Sequence, residues 1–154
     1  MTIKPSLQDF SLIESFVKKS VENYGLKEKS NGFMFFVLGL LLKIQEDEIL
    51  ESITDSSFLN IIGKNSGHDR GIDAIYIDEN TTPAIVHFFN FKYTENFDKT
   101  INHFPSTEID KITSFLNSLM SKDKNLKNDI NKVLYSKVEE IWELFEEHYP
   151  YFHF

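Results

Sequence analysis

Two β-rich segments joined by a short polar turn constrain this chain most. Residues 72–78 and 84–93 are rich in β-branched and aromatic side chains, and Glu79-Asn80-Thr81-Thr82-Pro83 between them reads as a turn. Alternation puts Ala84, Val86, Phe88, Asn90 and Lys92 on one face of the second strand, and Asp73, Ile75 and Ile77 on one face of the first. A hairpin centred between Thr81 and Thr82 sets Asp73 opposite Asn90. Directly opposed residues have Cβ atoms about 4.5–5.5 Å apart, so Asp73, Asn90 and Lys92 are expected around one small site. A slip of one residue would dissolve that arrangement, which makes register decisive.

Helical spacing dominates elsewhere. Ser6-Leu7-Gln8-Asp9 resembles a capping box, and Phe10, Ile13, Val17, Val21 and Tyr24 predict a helix over 7–24, ending near Gly25. Ser30 or Asn31 is expected to cap a second helix, roughly 32–45, with Phe33, Phe36, Val37, Leu40, Leu41 and Ile44 as its main stripe. It is apolar nearly all round and so should be central. Glu46-Asp47-Glu48 starts a short third helix with Ile49, Leu50 and Ile53 inward. Residues 54–71 look irregular, and 58–62 read as a short strand or a packed loop. Pro105, followed by Ser106 or Thr107 as cap, precedes a helix carried by Ile109, Ile112, Phe115, Leu116 and Leu119. A long helix, 126–148, follows, with Leu126, Ile130, Val133, Leu134, Val138, Ile141, Trp142 and Phe145 on its core face. Tyr151–Phe154 look like the beginning of a strand.

At 154 residues the chain is long enough for one domain with a real core. Cys is absent, which excludes disulfides and thiolate metal sites. The longest apolar run, Phe33 to Leu42, is shorter than the roughly 18–20 residues that span a bilayer. Met1–Pro5 lacks the apolar core of a signal peptide. The expectation is a soluble cytoplasmic protein with no membrane partner. The net charge of -8, with Arg70 the only Arg, argues against strong non-specific nucleic-acid binding. A bound metal would offset that charge locally.

The polar residues of the hairpin suit phosphodiester chemistry. Asp73 is a ligand for a hard cation such as Mg²⁺ or Mn²⁺, which prefers oxygen. Asn90 offers its amide oxygen and Phe91 its backbone carbonyl. Lys92 would orient the attacking water or stabilise the charge that develops on phosphorus. Asp69 and Glu48 are the further acids at hand. Set against this, a polar residue ending a strand is more often simply solvated. Asp73 resists that reading, because it lies between apolar residues, where an unpaired carboxylate is costly.

At these residues the chain resembles the PD-(D/E)xK nuclease superfamily, the restriction-endonuclease-like fold. It is closer still to the N-terminal nuclease-like region of abortive-infection phage-resistance proteins of the AIPR type. The stretches that carry the likeness are His68-Asp69-Arg70-Gly71-Ile72-Asp73 and Phe89-Asn90-Phe91-Lys92-Tyr93. The resemblance implies an α+β domain, with a central mixed sheet flanked by helices. It also implies a Mg²⁺-dependent nuclease acting on DNA or RNA in antiviral defence, with Asp73 as metal ligand and Lys92 as catalytic lysine. Asn90 stands at the Glu/Gln position, Met34 follows Phe33 where related nucleases often carry Glu, and Arg70 stands where Gly is common. These departures support a second expectation, a catalytically degenerate module that binds or assembles.

The whole chain, 1–154, reads as one nuclease-like domain with a helical extension over 1–29. It is either the N-terminal part of a longer protein or a small stand-alone relative. A weaker reading makes the 126–148 helix a dimerisation element. His68 beside Asp69 is a candidate catalytic or metal pair, although lone loop histidines are usually solvated. His87 reads as a packed histidine, and the acidic runs as solvated helix faces.

Overall fold

A computed structural model describes residues 4–64 and 67–154. Met1–Ile3, part of the N-terminal stretch read above for a signal peptide, lie outside the described residues. The protein is α+β, and its chain divides into two compact units: 1–51 with 91–104, and 52–90 with 105–154.

The first unit is helical. α1 (Leu7–Tyr24) has the predicted bounds. The Ser6 hydroxyl accepts from the Asp9 amide at 3.0 Å and satisfies one of the orphan N–H groups of the first turn. α2 (Lys29–Leu42) starts earlier than predicted, and neither Ser30 nor Asn31 caps it. Its buried residues are Asn31, Gly32, Met34, Phe35 and Leu38, whereas Leu40 and Leu41 are each 60% exposed. The stripe expected through Phe33 and Leu40 is therefore on the wrong side. In a helix apolar all round, periodicity gives the period but not the phase. Close approach of α1 sets the phase. A Cβ on Gly32 would lie 2.6 Å from Val21 Cγ2 and 2.8 Å from the Val17 carbonyl oxygen, so only glycine fits. The Phe16 and Phe36 rings stack at 5.1 Å across the same pair. α3 (Glu46–Ser52) runs to the end of this unit; Ile49 is buried as expected, while Leu50 is 39% exposed. A 3-10 helix spans Phe97–Ile101.

The second unit holds the sheet. β1 (Ala74–Asp78) pairs antiparallel with β2 (Ile85–Phe89), and β3 (Tyr151–His153) joins β2 in parallel. The hairpin has the expected register, from Ala74 opposite Phe89 to Asp78 opposite Ile85. β2 is shorter than the predicted 84–93 and ends before Asn90. Ile75, Val86 and Phe88 face a core completed by Phe115 and Leu119 and by Leu134, Val138, Ile141 and Phe145. Phe115 and Leu119 come from α5 (Ser106–Met120), the other four from α7 (Lys132–Glu147).

Two further differences matter. The irregular stretch contains a six-residue helix, α4 (Ser56–Ile61), whose Phe58 and Leu59 are fully buried. Six residues are too few to show a helical period. The helix predicted over 126–148 is two helices, α6 (Leu126–Asp129) and α7. The break falls at Asn131, whose side chain accepts from the Leu134 amide at 2.8 Å and caps α7. Among the described residues, no helix is long and apolar enough to cross a membrane.

Candidate metal-binding site

Three carboxylates converge in the second unit. Asp55, Asp69 and Asp73 each offer an oxygen, and these atoms lie within 4.8 Å of one another. Backbone pairing brings them together. Ile53 bridges Ala74 in antiparallel fashion, which lays 53–55 beside 72–74. The Asp73 carbonyl accepts from the amides of Thr54 at 2.9 Å and Asp55 at 3.0 Å, and the Thr54 hydroxyl donates to the Ile72 carbonyl at 2.5 Å. Asp73 itself stands just before β1, and its amide donates to the Phe89 carbonyl at 2.8 Å. It is 9% exposed.

Two of the carboxylates are held by backbone amides. Asp55 caps α4, with Oδ1 accepting from the Phe58 amide at 2.7 Å. Asp69 accepts from the Ser56 amide through Oδ2 and from the Gly71 amide through Oδ1, both at 3.0 Å. Around Asp69 the loop is anchored at Gly67 and His68. The Ser56 hydroxyl donates to the Gly67 carbonyl. The Asn131 amide donates to the His68 carbonyl at 2.9 Å. A Cβ on Gly67 would lie 2.9 Å from Asn131 Cα, so the loop backbone runs hard against the start of α7. Arg70 adopts a φ of +55°, a left-handed conformation unusual for a side-chain-bearing residue. Here the Arg70 guanidinium pairs with Asp129 and donates to the Ser114 hydroxyl at 2.6 Å, which ties the strained residue to its surroundings.

Asn90 joins the same network from the other side. Its Nδ2 donates to the Gly71 carbonyl at 2.7 Å. Its Oδ1 is buried and accepts no hydrogen bond from the described residues. A buried amide oxygen left this way costs free energy unless something else uses it.

The sequence-predicted residues are distributed over both units. Asp73, Asn90 and Asp69 lie within the second unit, linked through Gly71 and its neighbours. Phe91 and Lys92 belong to the first unit, beyond the end of β2. There the Phe91 ring meets Phe33 edge-on at 6.2 Å, and Lys92 Nζ lies 5.9 Å from the centre of the Phe104 ring. Glu48 is also in the first unit, where it accepts from the Gln45 amide at 3.0 Å. Asp55 was missed altogether. Its signal was local: an Asp before Ser56-Ser57-Phe58 is a good helix cap.

His87 packs on the sheet face opposite Phe88. Its ring lies 4.9 Å from that of His153 on β3 and 6.1 Å from that of Tyr76 on β1. Burial pushes its pKa below the usual 6.5, the proximity of His153 pushes the same way, and Asp78 opposes both. The unfolded chain then takes up this proton at higher pH than the folded one. The stability that neutral His87 contributes is present above about pH 6.5 and is lost as pH falls below it. Melting curves between pH 7.5 and 5 should show a smaller acid-induced drop in Tm for His87→Gln than for the wild type. Equal drops would contradict this assignment.

No protein-family model, curated protein or solved structure matches this chain.

Proposed function

We propose that this protein is a divalent-metal-dependent nuclease of the restriction-endonuclease-like kind, acting in the cytoplasm on DNA or RNA in antiviral defence. The observation that carries the reading is the Asp55–Asp69–Asp73 cluster. Three carboxylate oxygens within 4.8 Å of one another suit one hard cation, and carboxylates are what Mg²⁺ and Mn²⁺ select. The orphaned Asn90 Oδ1, on the residue that braces Gly71, supports an oxygen-seeking occupant nearby. The order of an antiparallel hairpin, helices and then a strand parallel to β2 is also in keeping with the resemblance.

Asp69 and Asp73 would hold the ion with Asp55 as the third acid. A bound divalent ion would supply polarisation of the scissile phosphate and a more acidic water. The chain's own contribution is a rigid donor set: backbone amides fix Asp55 and Asp69 before any ion arrives. Lys92 keeps the catalytic role that the sequence pattern gives it. With Mg²⁺, cleavage of single-stranded and duplex DNA and RNA is expected, and Lys92→Ala should lower the rate by about 100-fold or more, the scale of one electrostatic group. Activity unchanged in Lys92→Ala would remove the nuclease assignment.

One observation favours a second reading, a degenerate fold that binds without cutting. Where the resembled family carries Glu or Gln, Asn90 lacks the charge of Glu and is one methylene shorter than either, and its amide nitrogen is spent on the Gly71 carbonyl. Mn²⁺ binding with no cleavage of any substrate would select this alternative.

A further inference from the structure

Two histidines far apart in the sequence become neighbours in the sheet. β3 pairs with β2 so that His153 stands directly beside His87, and their ring centres lie 4.9 Å apart. We propose that this pair binds Zn²⁺, as a second metal site of different chemistry from the carboxylate cluster, and that the ion clamps β3 to β2. The proposal does not rest on the nuclease reading.

The spacing suits one ion held by both rings. With Zn–N bonds of about 2.0–2.1 Å, each ring centre lies roughly 3.2 Å from the ion, and two rings near the tetrahedral angle then have centres roughly 5 Å apart. Among the described residues, no hydrogen bond engages a ring nitrogen of either histidine, so the donor atoms are not committed elsewhere. His87 is half-buried and His153 exposed, so an ion reaches the pair from solvent. His153 can turn about its broad χ2 to aim a nitrogen at an ion beside His87. The His87 ring is flanked by Tyr76 at 6.1 Å and Phe89 at 6.4 Å, which limits the rotamer freedom that binding would remove. Burial and the proximity of His153 hold the His87 pKa below 6.5, so this imidazole is neutral at pH 7, the form that ligates.

The ligand chemistry selects the metal. Imidazole suits Zn²⁺, whereas Mg²⁺ and Mn²⁺ go to carboxylate oxygen. Neither histidine belongs to the carboxylate cluster. Asp78 lies on the same face of β1 as Tyr76, the direct partner of His87, and its negative charge is felt at His87. That charge favours a cation at the pair, while Asp78 Oδ1 accepts from the backbone and side-chain nitrogens of Asn80, both at 3.0 Å. Water would fill the remaining positions on the ion. The clamp follows from the topology. β3 has three residues and one neighbour, β2, so its docking rests on a short ladder. An ion bonded to both strands adds a link at the His87–His153 end of that ladder.

The test is a Zn²⁺ titration of the untagged full chain, followed by calorimetry and by the imidazole ¹H–¹³C signals. One equivalent should shift the His87 and His153 signals and leave those of His68, His103 and His148 in place. Affinity should fall at least tenfold in His87→Gln and in His153→Gln, and stay unchanged in Asp73→Asn and in excess Mg²⁺. His153 is exposed, so His153→Gln keeps the test decisive should His87→Gln fail to fold. Saturating Zn²⁺ should also slow hydrogen exchange of the Tyr151 amide, which donates to the Ala84 carbonyl at 2.9 Å, at least tenfold in the wild type and not in His153→Gln. Affinity unchanged in His153→Gln, binding lost in Asp73→Asn, or no binding at millimolar Zn²⁺ would overturn the site. Exchange at Tyr151 unaltered by bound Zn²⁺ would overturn the clamp.

Discussion

Asn131→Ala is expected to lower the unfolding free energy by about 2–4 kcal/mol, measured by urea denaturation. Asn131 is 2% exposed and makes three kinds of bond. Its Oδ1 caps α7 at the Leu134 amide, and an N-cap lost to Ala costs about 1 kcal/mol and up to 2. Its Nδ2 donates to the Thr54 carbonyl at 2.8 Å, in a residue that is itself fully buried. Removing that donor strands a buried carbonyl, which costs about 1–3 kcal/mol. A longer contact, 3.5 Å from Nδ2 to the His68 carbonyl, adds little. Asn131→Ser keeps an acceptor for the cap and should recover part of the loss. The Asn131 side chain holds the segment at 54 and its backbone amide, at the cap of α7, holds the 67–69 loop, so Asn131 supports two of the three carboxylate-bearing segments. Mn²⁺ affinity in the folded Ala variant should fall about 10–100-fold, as for other supports of metal ligands. A stability change below 0.5 kcal/mol would contradict this account of how the site is held.

Mn²⁺ at 100 times its dissociation constant should stabilise the folded protein by about 2.7 kcal/mol, read as a rise in Tm. The gain comes from an ion that binds the folded chain, where Asp55, Asp69 and Asp73 are gathered, and not the unfolded one. Asp73→Asn should weaken binding at least tenfold, about 1.4 kcal/mol, and shrink the Tm rise accordingly. Asp69→Asn should behave alike, because its backbone bonds hold its oxygens toward the same cluster. Glu48→Gln should leave the Mn²⁺ response intact, since Glu48 is not among the three gathered carboxylates.

Local signals were legible in this chain where one element carried them alone. The Ser6 cap and the spacing from Phe10 to Tyr24 predict α1 at its observed bounds. The turn at Thr81-Thr82 fixes the register of the hairpin, because two strands with one buried face have only one good pairing. Where a second element decides, the sequence is mute. The buried side of α2 is chosen by the approach of Val17 and Val21 to Gly32, which nothing within α2 reveals. The break at Asn131 reads as helix by periodicity, because Ile130 and Leu134 are both core residues on either side of it. In the candidate site, the pattern of the hairpin and its approach points to Asp73, Asp69 and Asn90. It does not point to Asp55, because it arrives through a bridge between Ile53 and Ala74, a pairing between segments 21 residues apart that has no local signature.

The most direct test of the central claim is Mn²⁺ paramagnetic broadening in the ¹H–¹⁵N spectrum, at well under one equivalent. The account predicts that the amide signals of Ser56, Gly71 and Asp73 vanish first in the wild type and survive in Asp73→Asn. Broadening confined to the exposed acidic faces at Glu46–Glu48 and Glu139–Glu140, with Ser56, Gly71 and Asp73 still sharp, would contradict it.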